Sequence, residues 1–136
     1  MSATPDTGRA PQMPVTVEEV PDQNLRIIRC NGLISNDHLR NWGYSLTAAD
    51  LNSTRNILVD LRAATLDVTA DGVWSFADTM QQRGLDQRRK IAIVGASDVA
   101  FAYGRMYQQL LERGEAEVRV FREYEEGARW VGVDSS

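Results

Sequence analysis

Two short apolar runs constrain this chain most. Asn56-Ile-Leu-Val-Asp-Leu61 and Lys90-Ile-Ala-Ile-Val-Gly95 are rich in β-branched residues and almost continuously hydrophobic. A strand with one wet face alternates apolar and polar residues, whereas a continuous run belongs to a strand covered on both faces, as in a parallel sheet flanked by helices. The segments between and after these runs have the helical period. Ser35-Asn36-Asp37 offers N-cap side chains ahead of Leu39, Trp42, Gly43, Leu46 and Ala49. Thr69 precedes a stripe of Val73, Phe76, Ala77 and Met80 that Gly84 ends. Ser97-Asp98 precedes Val99, Tyr103, Met106, Tyr107 and Leu110, closed by Gly114. Glu117–Phe121 reads as a last strand and 124–131 as a short last helix. At the front, Val15 and Val17 alternate with Thr16 and Glu18, the pattern breaks at Pro21-Asp22-Gln23-Asn24, and it resumes over Leu25 to Cys30, which predicts an antiparallel hairpin. The order ββαβαβαβα predicts a single α/β domain: a layered fold with a mixed, mainly parallel sheet, an opening hairpin and about four helices. No internal repeat is visible.

Composition narrows the function classes. With 136 residues, 43% of them apolar and 25% charged, the chain has the make-up of one ordinary globular core. Roughly two thirds of the unfolded surface is buried at this size, so no stabilising metal or disulfide is needed. The single cysteine, Cys30, excludes an internal disulfide framework and fits a reducing cytoplasm. One histidine and one cysteine cannot close a zinc site, and no cofactor is expected. A net charge of −4 argues against general affinity for nucleic acid or anionic membranes. No apolar run approaches the ~18 residues of a membrane span. Residues 1–14 read as a flexible tail without the apolar segment of a secretory signal, 15–132 as the domain, and 133–136 as a C-terminal tail.

Three motifs carry a resemblance. Gly104-Arg-Met-Tyr107, Glu117-Val-Arg-Val-Phe-Arg122 and Glu125-Glu-Gly-Ala-Arg-Trp130, together with the strands Ile57-Leu-Val-Asp60 and Lys90–Val94, resemble the STAS/SpoIIAA-like family over residues 15–132. The resemblance implies the layered fold above and a non-catalytic regulatory or interaction module that binds a protein partner. In the anti-sigma-factor antagonists of that superfamily, an Asp-Ser-Ser/Thr-Gly motif after the central strand is phosphorylated by a partner kinase. The matching stretch here is Leu66-Asp-Val-Thr-Ala-Asp-Gly72, in which Thr69 keeps a hydroxyl, no serine follows an aspartate, and the glycine is displaced. Thr69 is therefore the phosphorylation candidate. The SpoIIAA-like branch has also been grouped with lipid-binding Sec14-type folds, so a small-molecule or lipid carrier, or an enzyme with a hydrophobic cavity, is the alternative.

Each candidate residue has a plainer role beside the sharper one. Thr69 can simply cap its helix, and Asp67 and Asp71 would repel a phosphate there. Gly95-Ala-Ser-Asp98 forms a second strand-to-helix turn, where ligands of open α/β sheets tend to bind, yet a single glycine is far from a nucleotide fingerprint. These two turns, with Asp60, Asp67 and Ser97 as polar groups and Trp74, Phe76 and Tyr103 as walls, are the expected place for a pocket binding a small apolar or anionic ligand. Phe101 and Arg105, four apart on the third helix, suggest an interface, with a homodimer through that helix or the hairpin edge as one form. Cys30 with His38 would make a nucleophile and base only if the fold joined them. Arg83, Arg88, Arg89 and Lys90 form a basic patch that reads as a solvated loop, or as a dock for an acidic partner.

Overall fold

The computed structural model describes residues 14–47, 49–50, 55–83, 89–112 and 114–132. The expected tails, the helix-ending Gly84 and Arg88 of the basic patch lie outside them, apart from Pro14. The elements run β1 (Val15–Val20), β2 (Leu25–Ser35), α1 (Asn36–Ser45), β3 (Asn56–Asp67), α2 (Ala70–Gln82), β4 (Lys90–Val94), α3 (Asp98–Leu110), β5 (Glu117–Phe121) and α4 (Tyr124–Val131). The fold is a single α/β domain that has, among the described residues, a five-stranded mixed sheet and the four helices named above. The hairpin forms as expected. A 3-10 turn at Pro21–Gln23 ends in Asn24 at φ 53°, a left-handed conformation that asparagine tolerates, and β1 pairs antiparallel with β2.

The strand order is β1-β2-β3-β4-β5, and every pair after the hairpin is parallel. A right-handed crossover puts its helix on one side of the sheet for a given direction of travel. All three crossovers step the same way, so α1, α2 and α3 share one face. There Ile28, Cys30, Ile34, Ile57, Ile91, Ile93 and Val118 pack against Leu39, Trp42, Ala77, Tyr107 and Leu110. Among the described residues, α4 alone covers the opposite face, setting Ala128, Val131, Tyr124 and Trp130 on Leu25, Ile27, Leu58, Ala92 and Val94. The two apolar runs thus supply side chains to both layers, which is why neither alternates.

Both inner strands are longer than their apolar runs. β2 continues to Ser35 and β3 to Asp67, paired with each other across a bulge where Arg29 faces Asp60 and Asn31 faces Ala63. β4 pairs only with Ile57–Asp60, so a two-stranded ribbon, Asn31–Ser35 with Ala63–Asp67, projects past the sheet. That ribbon carries the starts of α1 and α2.

Candidate functional site

The C-terminal edge of the parallel strands gathers the N-termini of the four described helices, of which α1, α2 and α3 are each capped by the hydroxyl that its sequence offers. Ser35 Oγ accepts from His38 N at 3.2 Å, Thr69 Oγ1 from Gly72 N at 3.1 Å, and Ser97 Oγ from Ala100 N at 3.1 Å. His38 returns the bond, its Nδ1 accepting from Ser35 N at 3.0 Å, which closes a capping box. Cys30 is buried in the core, and the ring is held at this helix start, so the two do not form a nucleophile and base. Burial, aided by the Asp60 charge, pushes the Cys30 thiol up to about 12, so it remains protonated and weakly nucleophilic at neutral pH.

Thr69 has a second partner that local sequence patterns do not reveal. Asn36, the first residue of α1, grips it with both ends of its carboxamide: Nδ2 donates to Thr69 Oγ1 at 3.1 Å, and Oδ1 accepts from Thr69 N at 3.1 Å. Gly72 makes room for this clip, since a Cβ there would collide with the Asn36 carboxamide. Around the clip is a polar recess of about 390 Å³ lined by Asn36, Arg40, Tyr44, Thr69, Asp71, Ser75 and Thr79, with Leu39 and Phe76 as its apolar floor. Arg40 is ion-paired with Asp37 at its rim.

Beneath that floor is a different space. Between the sheet and α1–α3 is an apolar cavity of about 150 Å³, walled by Ile28, Cys30, Ile34, Trp42, Val59, Leu66, Val73, Tyr103, Tyr107 and again Leu39 and Phe76. The Tyr103 hydroxyl is turned away to donate to Val68 O at 3.1 Å.

Of the six residues expected to line a pocket at the strand ends, Phe76 and Tyr103 line the cavity. The other four are elsewhere, and the topology explains why. Ligand crevices of open α/β sheets form where the strand order reverses; this order never reverses, and the apolar cavity lies between the sheet and α1–α3 while the polar recess, which Phe76 also lines, lies at the Thr69 turn. Trp74 is 53% exposed on α2. Asp67 is exposed, and Ser97 is occupied as the α3 cap. Asp60 is 6% exposed and belongs to the α4 side of the sheet, where Arg62 stacks on the Tyr124 ring. Its carboxylate accepts from Arg62 N at 3.0 Å, Nε at 2.9 Å and Nη2 at 2.9 Å, so it holds the backbone and side chain at the bulge. Burial alone pushes this carboxyl up, but the Arg62 hydrogen bonds and the charges of Arg62 and Arg29 outweigh it and hold the group below its ordinary range.

Several of the remaining candidates make contacts within the protein. Phe101 lies under the Arg122 guanidinium, 4.3 Å from the ring centroid, while Arg122 also pairs with Asp98 at 3.0 Å; Arg105 is exposed. The described part of the basic patch is neither a solvated loop nor an open dock. Arg83 donates to Gly43 O at 2.6 Å and Leu46 O at 3.0 Å, closing the C-terminus of α1. Arg89 is buried, and Lys90 donates to Trp130 O at 3.3 Å at the end of α4. Among the described residues, no group of three or more His, Cys, Asp or Glu side chains is placed to hold a metal, and no helix is long and apolar enough to cross a membrane.

No protein-family model matches the chain, and no curated protein matches it in sequence. Among solved structures it is similar to an uncharacterized protein of the DUF3478 family from Shewanella loihica PV-4, described as having a SpoIIAA-like fold. The TM-score is 0.58 at 14% identity, over 86% of this chain and 91% of that one. At that identity the likeness concerns architecture alone, and it agrees with the strand order and the placement of the helices: this chain has a SpoIIAA-like fold.

Proposed function

We propose that the protein is a non-catalytic interaction module of the cytoplasm, and that the surface around Thr69 meets a protein partner under the control of phosphorylation at that residue. The observation that carries this reading is the Asn36–Thr69 clip: an exposed hydroxyl at a helix N-terminus is also the tie between α1 and α2. A phosphoryl group on Oγ1 would compete for the first-turn N–H groups and the Asn36 amide, while Asp67 and Asp71 repel it. Modification therefore changes the surface shape as well as its charge. Arg40, in the same recess, would have to exchange its Asp37 partner to answer that charge. Two groups that could have done chemistry are otherwise engaged, which supports the non-enzymatic side: the Cys30 thiol is held protonated and the Asp60 carboxylate is spent on Arg62. A cavity of about 150 Å³ also weighs against a lipid carrier, since pockets for ligands of even drug size run from about 300 Å³ upward.

The test is incubation with ATP and a panel of serine/threonine kinases, read by intact mass. A gain of about 80 Da, one phosphoryl group, is expected in the wild type and is lost in Thr69→Ala, with amide shifts at Asn36 and Gly72. A gain that survives in Thr69→Ala, or none with any kinase, would overturn the regulatory half of the reading.

A further inference from the structure

The cavity and the recess share a wall. Leu39 of α1 and Phe76 of α2 line both, so an apolar hollow and a polar recess meet at these two side chains. We infer that the half-open cavity is a binding site for one small apolar molecule of about benzene's size.

The interior selects for such a guest on two grounds. Water needs two to four polar partners to be held in a buried space. Here the lining is almost wholly apolar and the Tyr103 hydroxyl is committed to Val68 O, which leaves the Cys30 thiol, the Tyr107 hydroxyl and the Trp42 indole as side-chain polar groups, so water finds few partners. Size sets the other limit: an apolar space of about 150 Å³ is of the size that admits benzene or xenon and is well below that of pockets for larger ligands. The helices around it are held in place: α1 and α2 are tied at their starts by Asn36 and Thr69 and at their ends by Arg83, which reaches from the end of α2 to Gly43 O and Leu46 O. The site does not depend on Thr69 being phosphorylated.

The experiment is a titration of the full chain with benzene, followed by methyl and indole NMR, with xenon and dodecanoate as companion probes. Benzene and xenon are expected to give saturable shifts at Ile28, Ile34, Val59 and the Trp42 indole, with Leu25, Leu58 and Val131 on the α4 face unmoved, and dodecanoate to give none. No saturation up to the solubility of benzene, or shifts centred on the α4 face, would overturn the site. Saturation by dodecanoate would overturn its size limit. Thr69→Ala is expected to bind benzene normally, so failure of the phosphorylation reading and failure of this one give different results.

Discussion

Cys30 shows how burial, with a nearby carboxylate, defines a residue. Its thiol, ordinarily at 9.0, is pushed up to about 12 in the fold. For an acid whose folded value is raised, the stabilising contribution is complete below the unfolded value and is lost as pH climbs toward the folded one. Wild-type stability is therefore expected to fall between about pH 9 and pH 12, with a slope from this group of up to ~1.4 kcal/mol per pH unit. Cys30→Ala removes that slope even though it enlarges the cavity. Urea midpoints at about pH 7 and pH 10.5 check this, and equal alkaline losses in both proteins would refute it. The presence of a single, structural cysteine was legible in the sequence; the duties of the charged residues were not. Asp60 sits in an apolar run and looks like a strand-end ligand group, yet it satisfies Arg62 N at a bulge that no local pattern announces. Arg83 looks like part of a basic loop, but its partners are carbonyls in Gly43 and Leu46, near 40 residues earlier.

Helices α1 and α2 behave as a laced pair, and the lacing can be unpicked at one point. Gly72→Ala places a methyl where the Asn36 carboxamide lies, so the clip to Thr69 must open. A loss of about 2 kcal/mol is expected from the clash and the lost hydrogen bonds. In an Asn36→Ala background the same change should cost at least ~1 kcal/mol less, because the obstruction has already gone. Chemical denaturation of the four proteins of this cycle measures the difference, and strict additivity would show that the clip bears no strain from the methyl. The helices themselves were legible from caps and periodicity, since all three hydroxyl caps occupy the expected positions. The facing of α3 was not. Val99, read as part of its inner stripe, is 52% exposed, while Ala100 and Gly104 are buried. A Cβ on Gly104 would come within 2.9 Å of Val120 Cγ1, so this helix meets the sheet through its smallest residues. Hydrophobic periodicity weights large side chains and so finds the flank of such a helix rather than its contact line. The strands erred in the other direction: the ribbon beyond Asp60 is polar enough to read as loop, and only its pairing with β2 makes it a strand.

Across the whole molecule, the two faces draw on the same strands. β2, β3 and β4 give side chains to both core layers, whereas β1 and β5 have one neighbour each. Native-state hydrogen exchange is thus expected to be slowest at Leu58, Val59, Ala92 and Ile93, with the amides of β1 at least about tenfold faster. Equal protection of β1 would show that its outer edge is covered in solution, as pairing with a second copy would do. The general layout was readable because the apolar runs and capped helices alternate. The location of the cavity was not, because it depends on all crossovers stepping in one direction, a property of the path and not of any segment. That same path bears on how the protein is made. Since each new strand joins beside the one before it, no strand has to be inserted between two already in place. A chain leaving the ribosome can add strands at a single growing margin in the order of translation, and α4, the last element, arrives to seal the face that every earlier step leaves bare.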